Sequence, residues 1–408
     1  MALSVETLTG LGWRTQLPAF LVALGHGATH WIQATLYLLL PFVTSELGLS
    51  YLEAGTLITI FHLSSFVANF LSGMVVDLLG KRVLIQVASL VIGAFAMVGF
   101  GWASSFVMLA CFVAVIGATN NLWHPAAISF LSSAFPANRG YALSIHTLGA
   151  SLGDSLAPLA VGAMLVVLSW QGTAVTGTLP VFAVALLLLV VLTRLDRAAG
   201  GAGGSRTTPA DYLRGLRDMF VNRGAMGLCL MAGFRSMAQA GLLMFIPIYL
   251  ANVLQVGPLW TGVGMMALQL GGFVAGPLAG AWSDRIGRRP IVIGGITGTT
   301  LVIVFLALAG NEYVFIAGVS VLGFVLFAIR PVIHSWMMDL TPPNMAGSAT
   351  SALFGTQSAL SMLTPVVGGV IADQYGVGAV FYFLAAAMLV ANLLVFMLPE
   401  PERTGTAH

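Results

Sequence analysis

Long apolar stretches recur along the whole chain, and they restrict this sequence to very few kinds of fold. Each is about as long as the roughly 20 residues that a helix needs to cross the hydrocarbon core of a bilayer. Twelve occur, in two sets of six, at approximately 17–43, 52–76, 83–103, 106–131, 141–169, 174–193, 224–250, 259–281, 290–309, 313–338, 347–371 and 378–398. The sequence therefore predicts an all-α polytopic membrane protein with twelve transmembrane helices.

Charged residues are scarce, and their scarcity excludes a soluble protein. The 408 residues include 16 Lys+Arg and 14 Asp+Glu, so only 7% are charged, whereas 58% are hydrophobic. A soluble chain of this length would carry roughly 100 charges, because about a quarter of ordinary residues are charged. Lipid must cover most of the surface, and the net charge of +2 is too small to indicate a polyanionic partner. We therefore predict a lipid bilayer as the surroundings and no nucleic-acid partner.

Basic residues sort to one side of the predicted helices. Fourteen of the 16 Lys and Arg residues lie in the two tails or in loops that follow even-numbered helices, and the opposite loops contain none. Because Lys and Arg accumulate in cytoplasmic loops, both termini are predicted to be cytoplasmic. Arg235 and Arg330 are the two exceptions, since they fall inside helices 7 and 10.

An internal repeat relates the two sets of helices. Residues 207 positions apart match in the loops after helices 2 and 8: Gly73/Gly280, Asp77/Asp284, Gly80/Gly287 and Arg82/Arg289. Two parallel repeats are one architecture of secondary transporters. We predict a first six-helix bundle at 1–193, a cytoplasmic linker with a short amphipathic helix at 194–222, and a second bundle at 223–408. The eight repeated loop residues are predicted to gate the cytoplasmic side, because each Asp can bind a helix N-terminus there.

These paired loops, with the pattern G-x-x-x-D-x-x-G followed by two basic residues, resemble the signature loop of the major facilitator superfamily. The resemblance covers the whole chain. Within that superfamily, the first half is most similar to the fosmidomycin-resistance group of bacterial exporters. The stretches that carry this likeness are His26 with Trp31-Ile32-Gln33-Ala34, Trp123-His124-Pro125, and the Gly149 to Pro158 segment. The resemblance implies a monomeric carrier in the bacterial inner membrane that works by alternating access.

Polar side chains inside the predicted helices indicate where the transported species binds. Ionisable groups at membrane depth are costly, so they usually face a cavity. His124 and Arg330 each precede a proline, and they lie 206 positions apart, close to the repeat offset. In the superfamily, helices 1, 4, 7 and 10 line the central cavity. The predicted substrate-binding residues are Arg330, Arg235, His124, His26, His30, Gln33 and His334.

The balance of these groups favours an anion. A guanidinium presents a bidentate fork that matches a carboxylate, phosphate or phosphonate. We therefore predict a small organic anion or an acidic drug as the substrate. Asp154 is the one carboxylate predicted deep in the bilayer, and together with His124 it is the candidate for proton coupling, since both groups can exchange protons near neutral pH when buried.

Proton-coupled export of this anion is the leading interpretation, and a membrane receptor or scaffold that transports nothing is the least favoured. Two other interpretations stay open. One is a carrier of a metal or a metal chelate that uses His26, His30 and His124, because His residues four apart on a helix have ligand spacing. The other is an uptake carrier for an organic anion. No nucleotide-binding P-loop and no catalytic Ser/His/Asp pattern occurs, so we predict neither ATP-driven transport nor an enzyme, and no cofactor.

Overall fold

A computed structural model describes residues 11–198, 222–341 and 346–398, and within these ranges the protein is helical. Twelve membrane-length segments follow one another, and their bounds are α1 Trp13–Leu47, α2 Tyr51–Leu79, α3 Arg82–Gly101, α4 Phe106–Ala134, α5 Arg139–Met164, α6 Trp170–Leu195, α7 Arg223–Ile248, α8 Pro258–Ile286, α9 Arg288–Leu308, α10 Glu312–Asp339, α11 Ala346–Tyr375 and α12 Val377–Met397. α6 is interrupted after Thr176 and contains a π-helical turn at Leu188–Leu192, and α7 continues into a second one at Tyr249–Val253.

Each predicted span coincides with one of these helices, which confirms the twelve-helix fold. In the described residues, ten helices are long and apolar enough to cross a membrane by length and hydropathy. α1 and α5 fall outside that criterion although they contain 35 and 26 residues. Polar side chains lower their hydropathy, among them the predicted site residues His26, His30, Gln33 and Asp154. The predicted amphipathic helix of the linker lies outside the described residues.

The chain forms two compact units. Unit 1 contains Met1–Leu47 and Ile60–Ser205, and unit 2 contains Gly48–Thr59 and Arg206–His408. In unit 1, α1 packs along α5 and α3 packs along α4; in unit 2, α7 packs along α11 and α9 along α10. The same pairs recur six helices later, as a duplicated bundle requires. The start of α2 groups with unit 2, and helix continues beyond 193 in Thr193–Ala198, so the predicted domain boundaries stay a prediction.

Two pairs of glycines show the repeat in the backbone itself. A Cβ atom on Gly117 of α4 would overlap the carbonyl oxygen of Phe61 in α2, and one on Gly323 of α10 would overlap that of Leu268 in α8. Helices that approach this closely need glycine at the contact. Gly80 and Gly287 directly follow α2 and α8 with φ of +63° and +101°, a conformation that other residues rarely adopt.

Candidate functional site

The polar residues of unit 1 meet because α1 and α5 touch along their backbones. A Cβ atom on Gly149 would overlap the carbonyl oxygen of Ala23, and one on Gly153 would overlap that of Gly27. With no side chain between the helices at these positions, short polar groups on one helix reach those on the other. This close contact between two helices explains why α5 is rich in glycine around Asp154.

Asp154 forms an ion pair with His30 across this contact. His30 Nδ1 lies 3.0 Å from Asp154 Oδ1, and the two side chains are 19% and 25% exposed. Tyr37 lies within electrostatic range of Asp154, and its hydroxyl makes a 3.0 Å hydrogen bond with His62 Nε2. The one carboxylate that the sequence predicted deep in the bilayer therefore has an imidazole partner, His30.

A second imidazole of α1 joins three helices. His26 Nδ1 lies 2.8 Å from the carbonyl oxygen of His146 in α5, and the two rings stack with centroids 3.8 Å apart. His26 Nε2 lies 3.2 Å from His124 Nε2 in α4. His124 Nδ1 in turn lies 3.0 Å from the carbonyl oxygen of Asn120, one turn earlier on the same helix. We refer to His26, His30, His124, His146 and Asp154 as the imidazole cluster.

Neutral amides flank the imidazole cluster. Asn120 Nδ2 donates a 3.3 Å hydrogen bond to Gln33 Oε1, which ties α4 to the α1 face that carries His26 and His30. Gln33 is a predicted site residue. Asn120 was missed, although its position four residues before His124 is a signal that could have identified it. One ring nitrogen from each of His26, His30 and His124 lies within 4.8 Å of the other two.

The predicted cations of unit 2 differ sharply in exposure. Arg235 is only 3% exposed, and its guanidinium donates to Gln239 Oε1 at 2.6 Å through Nη1 and to the carbonyl oxygen of Leu326 at 2.7 Å through Nη2. Arg330 of α10 is exposed, yet it lies within electrostatic range of Arg235. Gln239 was also not among the residues predicted from the sequence, although it lies one helical turn after Arg235.

His334 completes this group. It follows Arg330 by one helical turn and lies within electrostatic range of both arginines. Its ring packs edge-on against Phe354, with centroids 5.0 Å apart, and its Nε2 atom is buried without a hydrogen-bond partner among the described residues. We refer to Arg235, Arg330 and His334 as the cationic cluster. Three groups that carry or can accept positive charge in one unit favour a negatively charged ligand.

The repeated loops bind different partners in the two units. Arg82 donates to Ser133 Oγ at 2.7 Å, whereas Arg289 donates to the carbonyl oxygen of Phe396 at 2.8 Å. Asp284 pairs with Arg288, which also donates to Asp339 Oδ2 at 3.0 Å. Gly280 faces open space. For the other two predicted gating residues in unit 1, Gly73 and Asp77, the structure describes only the helical backbone of α2.

Apolar helices in two copies, with imidazole and carboxylate groups in unit 1 and guanidinium groups in unit 2, are typical of a membrane transporter of small molecules. The chain belongs to the Major Facilitator Superfamily, whose sequence profile matches residues 20–274 and 228–408. This confirms the predicted family and indicates a transporter, since the family consists of carriers and not of enzymes.

Individual relatives agree with this assignment. The chain is 24% identical over 386 residues to the Fosmidomycin resistance protein of Escherichia coli strain K12, covering 92% of this chain and 91% of that protein, which confirms the predicted likeness. Multidrug resistance protein MdtG of Serratia proteamaculans is 28% identical over 164 residues, and the match spans only about two fifths of its length (40%) and 39% of this chain. The solved structure of the nucleoside transporter NupG has the same fold, with a TM-score of 0.77 over 94% of this chain and 99% of that one, at 13% identity.

Proposed function

We propose that this protein exports a small organic anion or an acidic drug across the bacterial inner membrane by alternating access, in exchange for protons. The observation that carries the proposal is the cationic cluster, in which the exposed Arg330 lies near a second guanidinium and an imidazole. The names of two relatives, a fosmidomycin resistance protein and a multidrug resistance protein, support export of drugs.

Arg330 is proposed as the main contact for the anion. A guanidinium stays charged at all physiological pH values and can bind a phosphonate or carboxylate through two parallel hydrogen bonds. Arg235 is proposed to have a different role in anion binding, because its guanidinium already donates to Gln239 and to a backbone carbonyl. Its positive charge favours an anion at Arg330 without direct contact. Other substrate contacts are proposed as the sequence predicts them, at His334, Gln33, His26, His30 and His124.

Proton exchange is proposed at Asp154, with His30 as its partner, and at His124. A carboxylate 3.0 Å from an imidazole can pass a proton to it with little movement of either side chain. The imidazole cluster is also the only described group of deep side chains that combines an acid with several bases. This arrangement supports proton coupling in unit 1 and anion recognition in unit 2.

The remaining parts of the proposal concern topology and gating. The distribution of Lys and Arg supports a cytoplasmic location for both termini, and the monomer is proposed from the resemblance to the superfamily. The repeated loops are proposed to gate that side through Gly73, Asp77, Gly80, Arg82 and their counterparts Gly280, Asp284, Gly287 and Arg289. Asp284 would exchange its present pairing with Arg288 for another partner during the cycle.

A thermal-shift titration of the purified protein tests the anion assignment. Fosmidomycin, which carries a phosphonate, is expected to stabilise the wild type, and Arg330→Ala is expected to weaken that effect at least tenfold in apparent affinity. Arg223→Ala removes the same charge from an exposed position at the start of α7 and should bind like the wild type. Equal stabilisation of the wild type and Arg330→Ala would reject the role of Arg330. Stabilisation by Zn²⁺ alone would favour the metal carrier.

Vesicles that contain the protein test the direction of coupling. Proteoliposomes with an acidic interior in an alkaline buffer should accumulate fosmidomycin, because protons that leave drive an exchanged substrate inward. An uptake carrier that moves the anion together with protons would expel it instead. The sign of the net flux therefore separates export from the uptake alternative.

A further inference from the structure

Two imidazole nitrogens of the imidazole cluster face each other at hydrogen-bonding distance. His26 Nε2 and His124 Nε2 are 3.2 Å apart, and the two rings are perpendicular with centroids 5.0 Å apart. Two ring nitrogens at this separation attract each other only if a proton lies between them, since two lone pairs repel. Whether a proton lies between the two Nε2 atoms therefore depends on the hydrogen bonds of the other ring nitrogens, the two Nδ1 atoms.

Backbone carbonyls hold both outer nitrogens. His26 Nδ1 lies 2.8 Å from the carbonyl oxygen of His146, and His124 Nδ1 lies 3.0 Å from that of Asn120. A carbonyl oxygen only accepts hydrogen bonds, so both Nδ1 atoms must carry hydrogen. A neutral imidazole has a single N–H, and the partner of one nitrogen thus fixes the state of the other. In their neutral forms, His26 and His124 would both present an unprotonated Nε2 to each other.

We propose that His26 and His124 share one proton between their Nε2 atoms, and that this pair loads the proton that drives transport. The inference rests on the proposed proton coupling and names the site at which the proton is held. The proton comes from hydronium: its O–H bond breaks as the proton adds to the lone pair of one Nε2, water leaves, and the resulting N–H donates to the lone pair of the other Nε2. A second proton would place two imidazolium groups 3.2 Å apart, which limits the pair to one.

The groups that surround the pair come from the same three helices and can stabilise a single positive charge. His30 of α1 lies 4.7 Å from His26 and 6.3 Å from His124 by ring centroids, and it pairs with Asp154 of α5. His146 of α5 stacks on His26, and its Nε2 is buried without a hydrogen-bond partner among the described residues. One carboxylate therefore faces one shared proton, and the imidazole of His30 lies between them as a path for exchange.

A metal ion is the competing occupant, because lone pairs that face each other can also bind a cation. Zn²⁺ with Zn–N bonds of about 2.0–2.1 Å holds neighbouring nitrogens roughly 3.3 Å apart. The His26–His124 pair meets that spacing, but the three imidazoles are gathered only to within 4.8 Å. The geometry thus favours a proton shared by two residues over a metal held by three.

Nuclear magnetic resonance of the full-length protein in lipid nanodiscs, with ¹⁵N in its seven His rings, tests the proposal directly. Between pH values of about 5 and 8, where imidazoles titrate, two rings should keep Nδ1 protonated throughout and take up one proton in total. The variants His26→Gln and His124→Gln assign these signals, and each should abolish the shared-proton signal of the remaining ring. His62→Gln, outside the cluster, should remove only its own signal. If a variant fails to fold, the number of protons bound by the wild-type pair still decides.

Three results would overturn the inference: two independent protonations, a neutral ring with hydrogen on Nε2, or Zn²⁺ at one equivalent that displaces the signals of His26, His30 and His124 together. Failure of the proposed function looks different. Proteoliposomes that accumulate no fosmidomycin under a pH gradient would refute proton-coupled export while a shared proton, seen by resonance, would stand. Accumulation without a shared proton would refute only the site.

Discussion

Equivalent positions of the two repeats carry groups of different chemistry. His124 in α4 and Arg330 in α10 lie 206 positions apart and both precede a proline. His124 takes part in a network of imidazoles with one carboxylate, which are groups that can gain and lose protons. Arg330 belongs to a cluster with a second guanidinium, whose charge is permanent. The same scaffold therefore occurs twice, with a titratable group at this position in unit 1 and a permanently cationic one in unit 2.

The two clusters also differ in how tightly the backbone holds them. In unit 1, the glycines of α5 bring backbone against backbone, and the carbonyls of His146 and Asn120 fix two ring orientations. In unit 2, Arg235 is fixed but Arg330 is exposed. A group that must pass protons over about 3 Å needs fixed geometry, whereas a group that binds a substrate from outside must be exposed to it. The difference suits the two proposed tasks.

The largest expected effect concerns the backbone contacts that position each cluster. Gly153→Ala would press a methyl group against the carbonyl of Gly27, which cannot move without separating α1 from α5. Gly233→Ala in α7 would first meet the side chain of Leu360 at 2.5 Å, which can rotate. Overpacking costs about 1–3 kcal/mol, so we expect a loss of about 3 kcal/mol for Gly153→Ala and about 1 kcal/mol for Gly233→Ala. Thermal melts followed by circular dichroism measure both, and equal losses would remove the contrast between the units.

The second largest expected effect concerns the coupling of substrate transport to protons. A gradient of one pH unit supplies about 1.4 kcal/mol, enough for about tenfold accumulation per exchanged proton. Asp154→Asn keeps the shape of the side chain but removes its charge opposite His30. We expect this variant to exchange labelled fosmidomycin across the membrane at equal pH and to lose the pH-driven accumulation in proteoliposomes. Glu46→Gln, an exposed and equally conservative change, should accumulate the drug normally. Normal accumulation by Asp154→Asn would reject the role of this unit 1 carboxylate in proton coupling.

The fold could be predicted from the sequence because each of its determinants is local or periodic. Span length, the sorting of Lys and Arg, and a constant offset of 207 between matching residues together specify twelve helices in two copies. The structure adds only small changes at helix ends, for example at Leu79 and Ile286, where α2 and α8 extend into the repeated loops. None of these features requires knowledge of which helices touch.

The site could be predicted only where helical spacing decides it. His26 and His30 lie four residues apart, so a shared face of α1 follows from the helix alone. Their partners do not follow, because Asp154 is 124 residues from His30 and meets it only through the contact of α1 with α5. Arg235 and Arg330 looked alike as charges within apolar helices. Tertiary packing encloses the first with Gln239 and leaves the second exposed.

The smallest expected effect would convert the permanent charge of unit 2 into a titratable one. Arg330→His places at this position the residue type that unit 1 carries at the matching His124. An ordinary histidine is half protonated near pH ~6.5, so about nine tenths are charged at one pH unit below and one tenth at one unit above. Fosmidomycin should therefore bind Arg330→His up to about ninefold more tightly at the acidic pH than at the alkaline one. Thermal-shift titrations of the wild type at both pH values correct for the titration of the drug, and Arg330→Gln should bind weakly at both. A pH-independent affinity in Arg330→His would mean that charge at this position does not hold the anion, and the contrast between a titratable and a permanently cationic unit would lose its functional meaning.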